Sequence, residues 1–321
     1  MKNKLGPVAD IEFDKLFAGQ IFSHLADAII QFILVAILIE ISGSAGKSMA
    51  LMFFSFMLPQ FLLSPFSGAL CDRFSRKAIL SISSFMRFII VASMIFTLPS
   101  LTTEGIYLYA FALGCGAAFF FPAKMSAVTN IVKSSQLKFA NALTASLGAI
   151  CLLIGAFCAD FCLSLGQTDA LEIVAGMYFS AALLTGIIKF NFPQKYFHEN
   201  KQKNDLSFVI SYLKTHKRVF YIVVLSICLE FMVAVFSNSL NALVTDYYGL
   251  NFSSFAQLRT ILGLGIIIGT ILTIYFLRIM RIPHLFASAF TVLCLVLVTA
   301  PLCHSLKYAW IWLVPIGIAD A

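Results

Sequence analysis

The chain has 321 residues, of which 60% are hydrophobic and 12% are charged, with a mean hydropathy of +0.93 and a formal net charge of +7. Soluble domains carry about 25% charged residues, so this composition excludes an ordinary soluble domain and indicates a protein embedded in lipid. The basic residues lie in short clusters between apolar segments, which is typical of topology signals, and we expect no nucleic-acid partner.

The apolar segments have the length of membrane-spanning helices, which need about 20 apolar residues each. The sequence predicts nine spans, at residues 16–40, 49–70, 78–99, 106–132, 139–165, 171–191, 219–245, 254–278 and 284–302. A tenth span starts near Lys307. The first is too long for a cleavable signal peptide. The tenth is unfinished at Ala321, so we expect a truncated bundle.

The distribution of Lys and Arg predicts the orientation. With the N-terminus in the cytoplasm, 17 of the 22 basic residues fall on the inner side. The longest polar stretch divides the chain into an N-terminal six-helix half at 1–192, a cytoplasmic central loop at 193–218 and an incomplete second half at 219–321, which holds helices 7 to 10.

Helix 1 carries a polar stripe that consists of Gln20, His24, Asp27 and Gln31 at helical spacing. Asp27 lies near the middle of the span. A carboxyl at that depth costs about 2.5–3.5 kcal/mol on insertion scales, so it indicates a function in substrate or proton binding.

A dense cluster of charges connects helices 2 and 3. The segment 68–77 has the spacing Gly-x-x-x-Asp-Arg-x-x-Arg-Lys, which resembles the signature loop of the major facilitator superfamily of secondary transporters. The resemblance implies an all-α polytopic membrane bundle of six plus six helices. It also implies that this loop braces the inner gate through Gly68, Asp72, Arg73, Arg76 and Lys77. The alternative is a basic cluster that only sets orientation. A similar pattern recurs 205 residues later, where Arg73 and Arg76 correspond to Arg278 and Arg281.

Helix 4 contains two glycines, Gly114 and Gly116, which permit close helix packing, and Pro122, which favours a kink. Its Lys124 either binds a phosphate as a point charge or extends to the inner interface. Pro-Ala-Lys at 122–124, followed by Ala-Asn-Ala-Leu at 140–143, resembles the bacterial lysophospholipid transporters. Asp27 and the loop motif also fit exporters of drugs and siderophores.

Helix 7 repeats the polar theme with Glu230 and Asn241. In the family that the motif resembles, helices 1 and 7 line the cavity, so Asp27 and Glu230 are the leading candidates there, with His24, Gln31, Lys124 and Asn241. The alternative is that either acid pairs structurally with Arg87 or Lys124. For Arg87 itself, a structural pairing or an interfacial position is favoured over a substrate contact.

These features predict a monomeric secondary transporter of the bacterial cytoplasmic membrane, in contact with lipid, whose substrate is a small amphipathic solute or lysophospholipid. The alternatives are a proton-coupled drug or siderophore exporter, and the membrane half of a lipid-remodelling acyltransferase. No enzyme motif is present, and the eight Cys form no C-x-x-C pair, so we expect no metal or cofactor beyond a coupled proton. We also expect Asp27→Asn to reduce transport without lowering expression.

Overall fold

A computed structural model of the chain describes residues 11–42, 46–133, 136–189, scattered positions between 211 and 232, and residues 252–276, 282–299 and 310–320. In these ranges the regular structure is helical and no strand is present, which confirms the prediction of an all-α helix bundle. The chain divides into two compact units, Met1–Phe192 and Pro193–Ala321.

The first unit contains six long helices and a short 3-10 turn at Leu98–Ser100. The helices are α1 (Ile11–Ser42), α2 (Gly46–Arg73), α3 (Arg76–Thr97), α4 (Thr103–Ile131), α5 (Leu137–Leu165) and α6 (Gln167–Ile187). Five of them are long and apolar enough to cross a membrane, or six if the bent α5 is counted as one span, within the described part of the chain.

The predicted spans agree with these helices to within five residues at every end, and the end of α6 is one of the larger differences. The apolar criterion placed that end at residue 191, whereas the helix ends at Ile187. Ile188 is already extended, and the backbone N–H of Lys189 donates to the carboxylate of Glu12 at 2.7 Å. A side chain of α1 therefore provides a hydrogen-bond partner for the backbone just beyond α6. Hydropathy alone does not indicate such a contact, so it does not predict where the helix ends.

Tight connections hold successive helices side by side. Only Phe74 and Ser75 separate α2 from α3, and only Gly166 separates α5 from α6. Gly166 has φ of +127°, a conformation that side chains with a Cβ rarely adopt, so glycine is the residue that allows this reversal.

The six helices alternate in direction. One buried cluster joins the beginnings of α1, α3 and α5 to the ends of α2, α4 and α6, and it contains Phe13, Leu16, Cys71, Ile79, Leu80, Phe120, Ala123, Ala127, Val128, Val132, Ala140 and Ile188. At the opposite end, the Gln167 amide donates to Glu40 at 2.6 Å and links the start of α6 to the end of α1. The first and last helices of the unit are therefore neighbours at both ends.

Small residues bring α4 close to its neighbours. A Cβ added at Gly114 would collide with the backbone of Phe56 in α2, and one added at Gly116 would lie 2.6 Å from Cγ of Arg87 in α3. The expectation of close packing at both glycines is confirmed, because each position leaves no room for a side chain.

In the second unit, the helices described along their length are α7 (Phe252–Phe276), α8 (Ile282–Thr299) and α9 (Trp310–Asp320). α9 packs on both α7 and α8. Gly265 of α7 and Gly317 of α9 lie so close that a Cβ on either would meet the backbone of the other helix. This unit therefore uses the same small-residue packing as the first.

Candidate functional site

The interior of the first unit is built around α1, which contacts α4, α5 and α6 along its length. Most side chains of α1 between Ala26 and Leu38 are buried, because the helix has neighbours on several sides. Its polar stripe therefore faces other helices, and the partners of that stripe come from α3, α4 and α6.

Asp27 of α1 forms a bidentate ion pair with Arg87 of α3. Arg87 Nη1 donates to Asp27 Oδ1 at 2.7 Å and to Oδ2 at 2.9 Å. The side chain of Arg87 is 0% exposed and that of Asp27 is 17% exposed. The same guanidinium donates from Nη2 to the hydroxyl of Ser23 at 3.0 Å and from Nε to the Ser83 carbonyl at 3.3 Å. A charge this deep in an apolar bundle is tolerable because its opposite charge and its hydrogen-bond partners are in place.

Aromatic rings enclose this ion pair. The guanidinium carbon of Arg87 lies 4.7 Å from the ring centroid of Phe120 and 4.9 Å from that of Tyr178. The Tyr178 hydroxyl also donates to Asp27 Oδ1 at 2.7 Å. A cation over aromatic faces gains further stabilisation when water is excluded, so the pair forms a closed and fully partnered group.

Lys124 of α4 meets α1 at His24. Its Nζ lies 3.0 Å from His24 Nε2 and 4.8 Å from the ring centroid of Phe121, and the residue is only 4% exposed. The alternative that Lys124 extends to the inner interface is wrong for this structure, because the ammonium group is buried between helices. Since an ammonium group only donates hydrogen bonds, His24 accepts here at Nε2 and carries its own proton on Nδ1.

Two further polar side chains in this region are buried without a partner among the described residues. Both amide atoms of Gln20 and the hydroxyl of Thr144 in α5 make no hydrogen bond there, and these residues are 0% and 3% exposed. Gln20 precedes His24 by one helical turn on the same face of α1. Buried polar groups without partners are rare in proteins and often indicate where a water or ligand binds.

A groove of about 510 Å³ lies between α2 and α4. Its lining is mixed, with apolar side chains and hydroxyl and amide groups from Gln60, Ser64, Ser67, Ala118, Phe121, Pro122, Met125 and Ser126. Pro122 has no N–H, so the carbonyl of Ala118 lacks its usual helical donor and offers an acceptor next to the groove. The groove is open on one side, since Phe121 and Met125 are exposed. Apolar walls with a few polar groups suit an amphipathic molecule.

The residues of the predicted gating loop lie at the facing ends of α2 and α3. Arg73 ends α2 and is exposed, while Arg76 and Lys77 begin α3 and are half-buried. Gly68 is half-buried, and a Cβ added there would meet no atom within 4 Å. Gly68 therefore makes no close helix contact among the described residues. Asp72 lies in the last turn of α2, and its side chain is not described.

The remaining candidates are not brought into the cluster by the described part of the chain. Gln31 is half-buried on α1, one turn beyond Asp27. Glu230 and Asn241 lie outside the described residues, as do Arg278 and Arg281 of the internal repeat. The prediction that Asp27 and Glu230 act together in a cavity stays a prediction.

Several residues of the site were missed by the sequence analysis. Tyr178 and Ser23 belong to the ion-pair network, and Gln60, Ser64 and Ser67 line the groove. The last three occur at spacings of four and three, the same helical stripe that identified the polar face of α1. That spacing in α2 is a signal for these three residues, whereas nothing near Tyr178 in the sequence indicates Asp27 as its partner.

Comparison with known proteins places the chain among transporters. The family described as Major Facilitator Superfamily matches residues 16–321. The fold is similar to the Escherichia coli fucose:proton symporter FucP, with a TM-score of 0.71, 17% identity, and coverage of 97% of this chain and 81% of that one. The fold is also similar to a bacterial homologue of the human lysosomal transporter Spinster in an inward-facing and occupied conformation. The TM-score is 0.65 at 17% identity, and the match covers 96% of this chain and 71% of that one.

A D-xylose–proton symporter gives a TM-score of 0.59 at 14% identity, with 97% of this chain and 80% of that chain covered. No curated protein matches the sequence. At these identities the solved structures show a shared fold, and the substrates in their names belong to those proteins.

Proposed function

The chain belongs to the Major Facilitator Superfamily, and we propose that it is a secondary transporter whose substrate is a small amphipathic solute, with lysophospholipid as the first candidate. Transport would proceed by rocking of two helical halves about a central site. The observation that carries this proposal is a group of charged side chains inside the first unit. Arg87 and Lys124 are buried, and Asp27 is half-buried.

Charges inside a membrane bundle are expensive and are found where a protein binds or moves polar groups. A bundle that served only as an anchor would be more stable with apolar residues at these positions. The α2–α4 groove adds a place for an apolar chain, because Phe121, Pro122 and Met125 lie beside the hydroxyl groups of Ser64 and Ser126. Together these features suit a molecule with one polar and one apolar end.

Two of the structurally similar proteins are described as proton symporters, which supports a proposal of proton coupling in this chain as well. The proposed orientation has the N-terminus in the cytoplasm of a bacterial cell. The placement of charged residues supports this orientation. One end of the first unit holds the basic residues Lys15, Arg73, Arg76, Lys77, Lys133 and Lys189, and the acidic residues Glu40, Glu104, Asp160, Asp169 and Glu172 lie towards the other end.

The test is transport by the purified full chain in proteoliposomes. Uptake of a labelled lysophospholipid is compared with uptake of a cationic dye, each with and without an imposed pH gradient, and protein-free liposomes provide the background. We expect protein-dependent movement of the lysophospholipid that responds to the gradient. Movement of the dye alone would favour the drug-exporter alternative, and movement of neither would contradict transport of amphipathic solutes.

A further inference from the structure

The charges in the interior of the first unit do not balance. Arg87 and Asp27 neutralise each other through two hydrogen bonds. Lys124 is equally buried, and the partner that the structure gives its ammonium group is the neutral ring of His24. Among the described residues no carboxylate forms an ion pair with Lys124. Among the described residues, Lys124 therefore lies between membrane helices without a carboxylate in direct contact, while the carboxylate of Asp27 is already neutralised by Arg87. This arrangement is costly unless an anion occupies the site during function.

Gln20 provides a second and independent indication of a ligand. Its amide is completely buried, and neither its nitrogen nor its oxygen has a partner among the described residues. It lies one turn before His24 on the same face of α1, so the amide belongs to the layer that Lys124 reaches from α4. An unsatisfied buried amide costs about 1–3 kcal/mol, which a bound polar group would recover.

Thr144 of α5 extends the same layer. Cys151 contacts the carbonyl of Ile21 at 3.9 Å, and Gly155 lies against Ala28, so α5 runs parallel to α1. Continued towards the N-terminus, these contacts place Thr144 opposite residues 14–17 of α1, which is three to six residues, or about 5–9 Å along the axis, before Gln20. The Thr144 hydroxyl is also without a partner among the described residues.

These three side chains offer N–H and O–H donors and one positive charge, a combination that recognises anionic oxygen atoms. The layer also adjoins the α2–α4 groove, because the Phe121 ring that lines the groove lies 4.8 Å from Lys124 Nζ. We propose that Lys124, Gln20 and Thr144 form a subsite for the anionic head group of an amphipathic substrate, such as the phosphate of a lysophospholipid, with its apolar chain in the groove. This inference rests on the proposed function and specifies the substrate class.

The test measures binding rather than transport, and it uses a matched pair of probes. Lysophosphatidic acid and monoacylglycerol share an acyl chain and differ in the phosphate. We expect lysophosphatidic acid to raise the melting temperature of the unmodified full chain in detergent more than monoacylglycerol does. An equal shift with both probes, or no shift with either, would overturn the subsite.

Variants locate the anion. Lys124→Met should weaken binding of lysophosphatidic acid about 10- to 100-fold, which corresponds to the loss of a hydrogen bond to a charged group. Binding of monoacylglycerol should be unaffected by this variant. Lys124→Arg should retain most of the binding of lysophosphatidic acid. The exposed Lys133, which follows α4, provides the control variant Lys133→Met. Unchanged binding in Lys124→Met, or an equal loss for both probes, would contradict the proposal.

Gln20→Leu provides a second variant, for which we expect a smaller loss that is again confined to the anionic probe; a loss that is equal for both probes would contradict the role of Gln20. Inorganic phosphate should compete only weakly, because it lacks the apolar chain. Competition as strong as that of lysophosphatidic acid would support the anion subsite and contradict the role of the groove. Transport of lysophosphatidic acid that is unaffected by Lys124→Met would overturn this inference while the proposed function remained.

Discussion

Two neighbouring levels of α1 differ in whether their polar groups have hydrogen-bond or ion-pair partners. At the level of Asp27, the carboxylate, the guanidinium of Arg87 and the hydroxyl of Tyr178 are all paired. At the level of Gln20 and His24, about one to two turns towards the N-terminus, a cation has only a neutral partner and an amide has none among the described residues.

This difference separates a structural group from a binding group. A saturated network has no free donor or acceptor to offer a ligand, and removing any member leaves the others exposed to a low-dielectric interior. An incompletely paired layer is less stable by itself but retains its capacity to bind. The same helix therefore fixes α3 and α6 at one level and leaves donors available to a substrate at the next.

The largest expected effect comes from breaking the closed level. Arg87→Met removes the cation that neutralises Asp27 and leaves a buried carboxylate without a partner of opposite charge. Unfolding in detergent should become easier by about 3–5 kcal/mol. Thermal melting of the purified protein measures this effect.

The double variant Asp27→Leu with Arg87→Met is the control for that experiment. Because it removes both charges, most of the lost stability should return. A double variant as unstable as Arg87→Met alone would show that Arg87 acts through its packing against Phe120 and Gly116 rather than through its charge.

Asp27→Asn should have the next largest effect. The amide keeps one hydrogen bond to Arg87 but removes its counter-charge, so we expect a loss of about 1.5–3 kcal/mol of stability together with reduced transport. This changes the expectation from sequence, which placed the effect on transport alone. Expression level, melting temperature and vesicle uptake are compared with the unmodified chain, and an unchanged melting temperature would contradict the structural role of the pair.

Gln20→Leu should act in the opposite direction. Replacing an unpartnered buried amide with an apolar side chain of similar size should increase stability by about 1–3 kcal/mol, while binding and transport decrease. Such a trade of stability for function is expected at a ligand site. The melting temperature and the uptake rate of the same preparation provide the measurement. A destabilised Gln20→Leu protein would show that the amide has a structural partner and that the comparison between the two levels fails.

Tyr178→Phe should have the smallest effect. It removes one hydrogen bond to Asp27 but keeps the ring over Arg87. Hydrogen bonds between membrane helices contribute about 0.6 kcal/mol on average, so a decrease of about 0.5–1.5 kcal/mol is expected. Tyr178→Leu, which also removes the ring, is the comparison, and equal melting temperatures for both variants would show that the ring contributes nothing.

The helices could be predicted closely from the sequence because lipid imposes one length and one composition on each span. α4 begins at Thr103, three residues before its predicted start, and α5 ends at Leu165, as predicted. Polar residues in the end turns, such as Gln167 and Asp169 of α6, continue the helix beyond the apolar segment, which explains why its start was predicted four residues too late.

The pairing inside the unit was predicted less completely. The mid-span position of Asp27 is visible in the sequence, and Arg87 was one of two partners considered for it. The choice between Arg87 and Lys124 depends on which faces of α3 and α4 meet α1, and that is decided by Gly116, where the absence of a Cβ leaves room for the Arg87 side chain. Neither this fit nor the contribution of Tyr178 follows from the spacing of residues within one helix.

The contact of α1 with α6 at both ends has a consequence for chain connectivity. Since Glu12 and Lys189 meet at one end of the unit, a short peptide linker could join the end of α6 to the start of α1. New termini opened between Phe74 and Ser75 would lie at that same end, so the circularly permuted order would preserve every helix neighbour and every helix direction. The arrangement of the six helices is thus independent of which helix comes first in a circularly permuted chain.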